Sequence, residues 1–302
     1  MAQQPYTPLQ AYIGVQKTVD AHLAAVLLDA AEEAERIIAK SAKGNGIGDA
    51  MQRAQMQQAA SGLRQMSTEM WQGEISPAMQ TGMKKAAVAA VNSEKFVGDV
   101  IENAFGTRFK ALEDAVAFDA ALKVDVLRAK DANAIPLSQQ VYRTQALSDG
   151  WVNTEIKRSL ALGESAKQLA NRVVPMILPT TPGGVSYAAN RLARTEINNA
   201  FHRAQIDRRS QEPWTQGFKW NISRSHPKPD ECNVYAETSH YEGGPAGVFK
   251  PNQAPGKPHP NCLCYLTTVT ISEDDFINGF LNGDYSKHMD ETIYRSGIGT
   301  SC

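Results

Sequence analysis

The sequence has few cysteines, no excess of charge of either sign and no long apolar run. Four cysteines in 302 residues are too few for a disulfide framework, so a reducing compartment is expected. The 31 basic and 32 acidic residues give a formal net charge of −1, which excludes a global field that would draw the chain to nucleic acid or anionic lipid. The most apolar early stretch, Leu23 to Ala31, ends at two glutamates and is far shorter than the ~18 apolar residues that a membrane span needs. The first residues lack a basic flank before an apolar run, so no signal peptide is expected.

The common signatures of enzymes are also missing. The sequence contains no G-x-S-x-G element, no H-E-x-x-H element and no Walker-type phosphate loop. Ser223, Ser225, His226 and Asp230 have the residue types of a hydrolytic triad, but they are crowded into one loop that contains two prolines. A triad needs its nucleophile, base and orienting carboxylate on separately positioned backbone, so a polar surface loop is the preferred interpretation.

Apolar residues in the first two-thirds of the chain recur at three- and four-residue intervals, which predicts a mainly α N-terminal part built as a helical arm or bundle. Glycines within 44–48 are expected to end the first helix, and Gly150 is expected to kink or break a later one. Prolines and glycines predict a loop over 175–184. The predicted helices cover 15–38, 49–70, 77–91, 107–130, 137–162, a short stretch ending at 174, and 186–210.

The composition changes after Pro213, where aromatic residues, proline, glycine and histidine become frequent and the helical period is lost. Alternation predicts a strand over 218–222 and a closing strand over 262–271, with a long irregular segment between them. Acidic residues dominate from 272 onward, and a short helix is expected near 274–281. The sequence therefore predicts a partner-binding helical arm over 1–180, a small irregular α+β domain over 181–271 and an acidic tail over 272–302.

Cysteine and histidine residues in the α+β part have the chemistry of a metal site. Cys262 and Cys264 lie two apart on a predicted strand, so their thiols are expected on one face. His259 precedes them, and Cys232, 27 residues before His259, would complete a set of three thiolates and one imidazole, which zinc accepts. A bound metal would hold in shape a segment that is poor in apolar residues. Two other interpretations stay open: Cys262 and Cys264 are small buried strand residues, or Cys232 forms a disulfide with one of them after oxidation.

A local basic patch lies between residues 191 and 228. Eight arginines or lysines stand there against three acidic residues, a net charge of +5. Such a patch is either a solvated face or a contact for the phosphate backbone of DNA, and that contact would be independent of base sequence and sensitive to salt. The candidate DNA contacts on the long helix are Arg191, Arg203, Arg208 and Arg209.

Glu196 lies among the apolar positions of its predicted helix. A buried carboxylate without a partner is costly, so a cationic or hydrogen-bonding partner is expected. Arg194, Lys219 or the histidine and cysteine cluster are the candidates. A structural pair that joins helix to loop is preferred here over a catalytic role, because structural ion pairs also bury charge.

The order of these elements resembles that in the C-terminal domain of the phage Mu F-like minor head proteins, also called head morphogenesis proteins. The resembling elements are Ala193-Arg194-Thr195-Glu196 on a helix, Gly217-Phe218-Lys219-Trp220 on a strand, Asp230-Glu231-Cys232, and His259-Pro260-Asn261-Cys262-Leu263-Cys264 before a final strand. The resemblance covers residues 186–271, and His-Pro-Asn-Cys-x-Cys is its most specific element. Structural roles are assigned on this basis to Arg194, Glu196, Trp220 and Asp230.

The sequence also departs from the pattern of the family. Tyr235 stands where many members have a second cysteine, residues 236–243 replace a turn of the L-D-G type, and Leu263 replaces an arginine. His240 is the candidate substitute for the missing metal ligand.

The resemblance implies a role in tailed-phage head assembly. A minor head protein of this kind associates with the portal protein and enters the prohead with scaffold and major capsid proteins. It would be found in the host cytoplasm during assembly and then inside the head, where it would affect DNA packaging or ejection. The helical arm suits a protein-binding role, since amphipathic helices dock on partner grooves and bundles.

Two other functions are kept as alternatives. The first is a metal-dependent nuclease or hydrolase that uses His226, Asp230, His259 and the cysteines. The second is a packaging or ejection factor that binds DNA through the basic patch at 191–228.

Overall fold

The structure is a computed structural model that describes residues 7–41, 49–91, 107–129, 137–162, 166–178, 183–226 and 229–296. Helices dominate its first two-thirds, as the three- and four-residue spacing of apolar side chains predicts. A π-helical segment, Glu69–Ile75, follows α2 directly and leads into α3. The helices up to residue 209 are α1 (Thr7–Ser41), α2 (Asp49–Thr68), α3 (Ser76–Val91), α4 (Thr107–Ala129), α5 (Leu137–Leu162), α6 (Ala166–Ile177) and α7 (Val185–Arg209).

The last third of the chain contains a small antiparallel sheet. Its strands are β1 (Thr215–Asn221), β2 (Val248–Phe249) and β3 (Tyr265–Thr270), in the spatial order β2-β1-β3. Phe218 pairs with Phe249, and Trp220 pairs with Leu266. The remaining elements are α8 (Glu231–Glu237), a 3-10 turn (Pro251–Gln253), α9 (Glu273–Leu281) and α10 (Ser286–Ser296). The predicted fold class, mainly α with a small α+β part, is confirmed.

Three local predictions are wrong. Helix α6 continues to Ile177 through Pro175, because a proline in the last turn removes only one hydrogen bond and buried Val173 and Ile177 hold that turn in the core. Helix α5 passes Gly150 without the break, and the alternative of a kink there stays a prediction. The final strand begins at Tyr265, so Cys262 and Cys264 lie in the turn before it. The expected glycine stop at 44–48 lies outside the described residues.

The chain folds into two compact units that interleave along the sequence. Unit 1 comprises Met1–Val15, Gly82–Ala134 and Thr195–Cys302, and unit 2 comprises Gln16–Thr81 and Ile135–Arg194. The division predicted from composition differs from this one. It placed boundaries at residues 180 and 271, so that each predicted part was one continuous stretch of the chain, whereas each unit of the structure combines separate stretches.

Unit 2 has an all-helical core. Leu23 and Leu27 of α1, Leu63 of α2 and Trp71 of the π-helical segment are fully buried there. Polar side chains join its helices as well, since Gln72 donates a hydrogen bond to Gln145 at 2.8 Å.

Unit 1 has an apolar cluster on its sheet. The cluster combines β-strand side chains with the three described cysteines, and its buried members are Phe218, Trp220, Cys232, Phe249, Cys262, Cys264 and Leu266. The thiols therefore lie inside a core rather than on a surface loop. Among the helices that the structure describes, none is long and apolar enough to cross a membrane.

Candidate metal centre

The first side of the centre is the beginning of α8. The Asp230 carboxylate accepts a hydrogen bond from the Cys232 backbone N–H at 2.7 Å, and the Asn233 side-chain oxygen accepts one from the Asp230 N–H at 3.2 Å. These two bonds satisfy backbone donors that the helix itself leaves unpaired. The cap fixes Cys232 in the first turn, where its side chain is fully buried.

The second side is the turn that precedes β3. Asn261 adopts a left-handed conformation with φ of 59°, which reverses the chain between His259 and Cys262. Helix α7 holds this turn: the Asn261 N–H donates to the Thr195 hydroxyl at 2.8 Å, and the Asn198 side chain donates to the Cys262 carbonyl. The two thiols of the turn are buried as a result.

The cap and the turn bring thiols and imidazoles together. The Cys232 sulfur lies 3.5 Å from the Cys262 sulfur and 3.5 Å from Nε2 of His259. On its other side, Cys232 belongs to a group with Cys264 and His226, in which the Cys264 sulfur lies 3.9 Å from the His226 Nδ1. Within each of these two groups of three, all donor atoms lie within 4.8 Å of one another. All three cysteines are free thiols.

The pKa values of the three thiols are shifted in different directions. The interaction with the Cys262 side chain lowers the pKa of Cys264 to about 5, and the interaction with Cys264 raises the pKa of Cys262. Burial raises the pKa of Cys232 to about 12. Cys264 also accepts a hydrogen bond from the Ser223 N–H at 3.5 Å, which favours its thiolate form.

A partly buried lysine lies beside the thiols. The Lys257 ammonium donates to the Cys264 carbonyl and lies 5.5 Å from the centroid of the Trp220 ring. Burial lowers the pKa of Lys257 to about 8, and the neighbouring cysteines oppose that shift. A cation at this position favours negative charge on the sulfurs.

The donor set fits zinc. Zinc in structural sites takes four ligands in a tetrahedron, mainly thiolate sulfur and imidazole nitrogen. With Zn–S bonds of about 2.3 Å, two sulfurs of such a tetrahedron are about 3.8 Å apart. The separation of 3.5 Å between Cys232 and Cys262 is close to that value, so these thiols are placed as zinc ligands are.

The structure brings some of the predicted metal ligands together and leaves one of them apart. Cys232, His259 and Cys262 form one group, and Cys264 joins Cys232 through the other. His240 lies in neither group: its ring stacks on Phe249 at 3.7 Å between centroids, and its Nε2 is 2.8 Å from the Tyr235 carbonyl. His226, which was not included in the predicted set of four ligands, is the additional donor.

The predicted structural residues have defined partners. Glu196 accepts a hydrogen bond from Arg128 of α4 at 2.7 Å, and both side chains are buried. Arg128 was not among the predicted partners, and Arg194 pairs instead with Asp20 at 2.9 Å. Trp220 lies in the cysteine cluster, and the Asp230 side chain caps α8.

The predicted DNA contacts do not form an exposed group. The Arg209 side chain is only 4% exposed and pairs with Glu212 at 2.8 Å, and Arg208 lies 3.4 Å from the same carboxylate. Burial lowers the pKa of Arg203 to about 10. Arg191 is exposed, and it belongs to unit 2 while the other three belong to unit 1. Arg209 is thus excluded as a phosphate contact, because its charge is directed into the core.

Three buried polar residues of α7 were not predicted as part of this region. Asn198, His202 and Gln205 follow one another at four- and three-residue spacing, which places them on one helix face. They donate to carbonyls of the segment that carries the cysteines and of β3, at Cys262, Pro255 and Leu266. The signal was present as polar residues at helical spacing beside the apolar face of an amphipathic helix.

The elements that carry the resemblance to minor head proteins therefore contact one another in unit 1. The helix with Thr195 bonds to the turn with Asn261, and the strand with Trp220 packs on the thiols. No protein-family model, curated protein or solved structure matches the chain.

Proposed function

We propose that the chain is a minor head protein of a tailed phage, which associates with the portal and acts in prohead assembly and in DNA packaging or ejection. The observation that carries the proposal is the resemblance of four separated sequence elements together with their mutual contact. Thr195, Trp220, Cys232 and Asn261 come from different elements, and each contributes to one small core or to the bonds around it. Residues that recur together in such proteins would do so because they hold this domain together.

The burial of the thiols supports a structural role rather than turnover. Catalytic zinc keeps one coordination position open to water or substrate, whereas structural zinc is closed. Cys232, Cys262 and Cys264 are all buried among Phe218, Trp220 and other apolar side chains. A domain of this kind is suited to assembly, in which it presents a fixed surface to other head proteins.

An exposed apolar stripe on α4 supports contact with a protein partner. Phe118, Leu122 and Val126 recur every four residues and are 67%, 63% and 59% exposed. The opposite face of the same helix is buried in unit 1 through Ala120, Val124 and Leu127. Apolar side chains on both faces of a helix indicate a second surface to be covered, and we assign that surface to the portal, with scaffold and major capsid proteins as further partners.

The first experiment is to count copies of the chain in purified proheads and mature virions by quantitative mass spectrometry against the portal. A fixed copy number in both particles would support a structural minor head protein that moves from the host cytoplasm to the head interior. Presence in proheads and loss from virions would support a transient assembly role. Absence from both would overturn the proposal.

A matched pair of variants tests the α4 stripe. Leu122→Asp places a charge on the stripe and should lower the number of copies per prohead. Leu281→Asp is the control, because Leu281 is also exposed but lies on α9. Equal incorporation of the two variants would contradict a role of the stripe in docking.

A metal-dependent nuclease or hydrolase is the second candidate, and the pair of His259 and Asp230 favours it. The His259 Nε2 lies 3.1 Å from the Asp230 carboxylate, and the imidazole is 36% exposed, so it is accessible to a substrate. Cleavage of DNA or peptide that disappears in His259→Ala would support this function, and absence of cleavage with zinc present would count against it.

Binding of DNA through its phosphates is tested in the same preparation, since it should weaken steeply as salt rises.

A further inference from the structure

We infer that His226 is the imidazole ligand of a zinc site in this chain, together with Cys232, Cys262 and Cys264, and that His259 lies outside the coordination shell as the partner of Asp230. The sequence has Tyr235 where a further cysteine would supply a ligand, and His226 approaches Cys232 and Cys264 from the loop before α8. Cys262 joins this set through Cys232, whose sulfur lies 3.5 Å from its own. This inference does not depend on the role in phage assembly. The structure offers two imidazoles to three thiols, and four-coordinate zinc has room for one of them.

Hydrogen bonding leaves the correct nitrogen of His226 available. The Asn233 side-chain oxygen accepts the Asp230 N–H, so the atom that faces His226 Nε2 at 3.0 Å is an acceptor. Nε2 must therefore carry the proton and donate, and the lone pair is on Nδ1. Nδ1 is the atom that faces the Cys264 sulfur at 3.9 Å. A histidine that donates one ring N–H to an oxygen and presents the other nitrogen to the metal is the usual arrangement at zinc sites.

The hydrogen bonds of His259 differ. Its Nδ1 lies 3.1 Å from the Pro260 carbonyl, and its Nε2 lies 3.1 Å from the Asp230 carboxylate. Both ring nitrogens therefore face oxygen acceptors, and neither is directed only at sulfur. His259 would have to give up its contact with Asp230 to ligate a metal, whereas His226 keeps its bond to Asn233.

Burial and loop geometry also favour His226. Its side chain is 9% exposed, compared with 36% for His259, and structural metal sites exclude water from their ligands. The loop is wrapped around Cys264: the Ser223 N–H donates to the Cys264 sulfur, and the His226 N–H closes a turn onto the Ser223 carbonyl at 3.0 Å. One short segment thus supplies both an N–H for the thiolate and the imidazole beside it.

The test measures metal binding by the purified full chain. Zinc content is determined by elemental analysis, affinity by competition with a chromophoric chelator, and ligand type by the absorption spectrum of the Co²⁺-loaded protein. The unmodified chain should bind one zinc ion. His226→Gln should bind zinc at least about tenfold more weakly, since even the loss of an outer-shell contact costs about 10- to 100-fold. His259→Gln is the matched control and should lose clearly less affinity than His226→Gln, because it removes an outer contact of Cys232 and no ligand.

The variant His226→Cys distinguishes the loss of a metal ligand from misfolding of the protein. A thiolate at this position can ligate the metal, so this variant should regain tight binding, and its Co²⁺ form should show stronger sulfur-to-metal charge-transfer absorption. Weak binding by His259→Gln with full binding by His226→Gln would overturn the assignment in favour of His259. Failure of the unmodified chain to bind zinc would overturn it entirely. Because these measurements use no phage particle, their failure is distinct from absence of the chain from proheads.

Discussion

His202 should make the protein sensitive to mild acid. It lies on α7, fully buried, with its Nε2 2.7 Å from the Pro255 carbonyl and its ring edge-on to Trp220. The pKa of His202 is lowered to about 3, first by burial and second by the positive charge of Lys257, while the hydrogen bond to Pro255 opposes both. The imidazole is therefore neutral in the folded protein throughout the physiological range of pH.

The sign of the effect follows from the two pKa values of His202. In the unfolded chain the imidazole takes up a proton below pH 6.5, but in the folded protein it does so only near pH 3. The stabilisation is therefore complete above pH 6.5 and is lost as the pH falls from there towards 3. The slope in that window is about 1.4 kcal/mol per pH unit. Between about pH 7 and about pH 5.5, this one residue should reduce the free energy of unfolding by about 1 kcal/mol.

The assay compares the unmodified chain with His202→Gln by urea denaturation at the two pH values. A glutamine N–H can still donate to the Pro255 carbonyl, but the side chain does not titrate. The unmodified chain should lose about 1 kcal/mol more than the variant on acidification, and effects of other groups cancel in the difference. An identical loss in both proteins would refute the reasoning, because His202 would then not be buried in its neutral form.

Three further predictions concern the free energy of unfolding in urea. Glu196→Leu leaves the buried Arg128 without this carboxylate and should lower the free energy of unfolding by about 3–5 kcal/mol. Adding Arg128→Met should restore most of that loss. Strictly additive costs of the two substitutions would contradict a specific pair. Gly217→Ala should cost about 1–3 kcal/mol, because the new Cβ would lie 2.4 Å from a backbone carbonyl oxygen of β2, whereas Gly150→Ala, with nothing within 4 Å, should not destabilise the protein. Asn261→Ala should cost about 1 kcal/mol and Asn261→Gly should cost less, because φ is 59° at that residue; the opposite order would contradict the left-handed turn.

The helices could be predicted from the sequence because helical periodicity and caps act over a few neighbouring residues. Helix α7 runs from Val185 to Arg209, one residue from the predicted bounds at each end, since its apolar face repeats regularly. The strand predicted from Cys262 is wrong for one local reason and one tertiary reason. The alternation of Cys262, Leu263 and Cys264 imitates a strand, but the left-handed Asn261 and the bonds to α7 turn this segment before pairing begins at Tyr265.

The candidate metal centre could be predicted in part. Thiols and imidazoles are recognisable by residue type, and Cys232, His259, Cys262 and Cys264 were predicted as one set. The approach of His226 could not be predicted, because it depends on how the loop before α8 folds back over Cys264. His240 looked equally suitable in the sequence, but Phe249 and the Tyr235 carbonyl hold its ring away from both groups.

By itself the sequence determined the helical character of the chain and the presence of a metal-type donor set. Only the tertiary structure decided which charges and donors meet. Arg128 and Glu196 are 68 residues apart in the chain but form a buried hydrogen bond. Arg209 lies in a basic stretch of the sequence, but its side chain is buried and donates a hydrogen bond to Glu212. The physical reason is the distance along the chain over which each effect acts. Backbone propensity depends on neighbouring residues. An ion pair or a ligand set depends on segments that are distant in the chain and come within a few ångströms only when the whole unit packs.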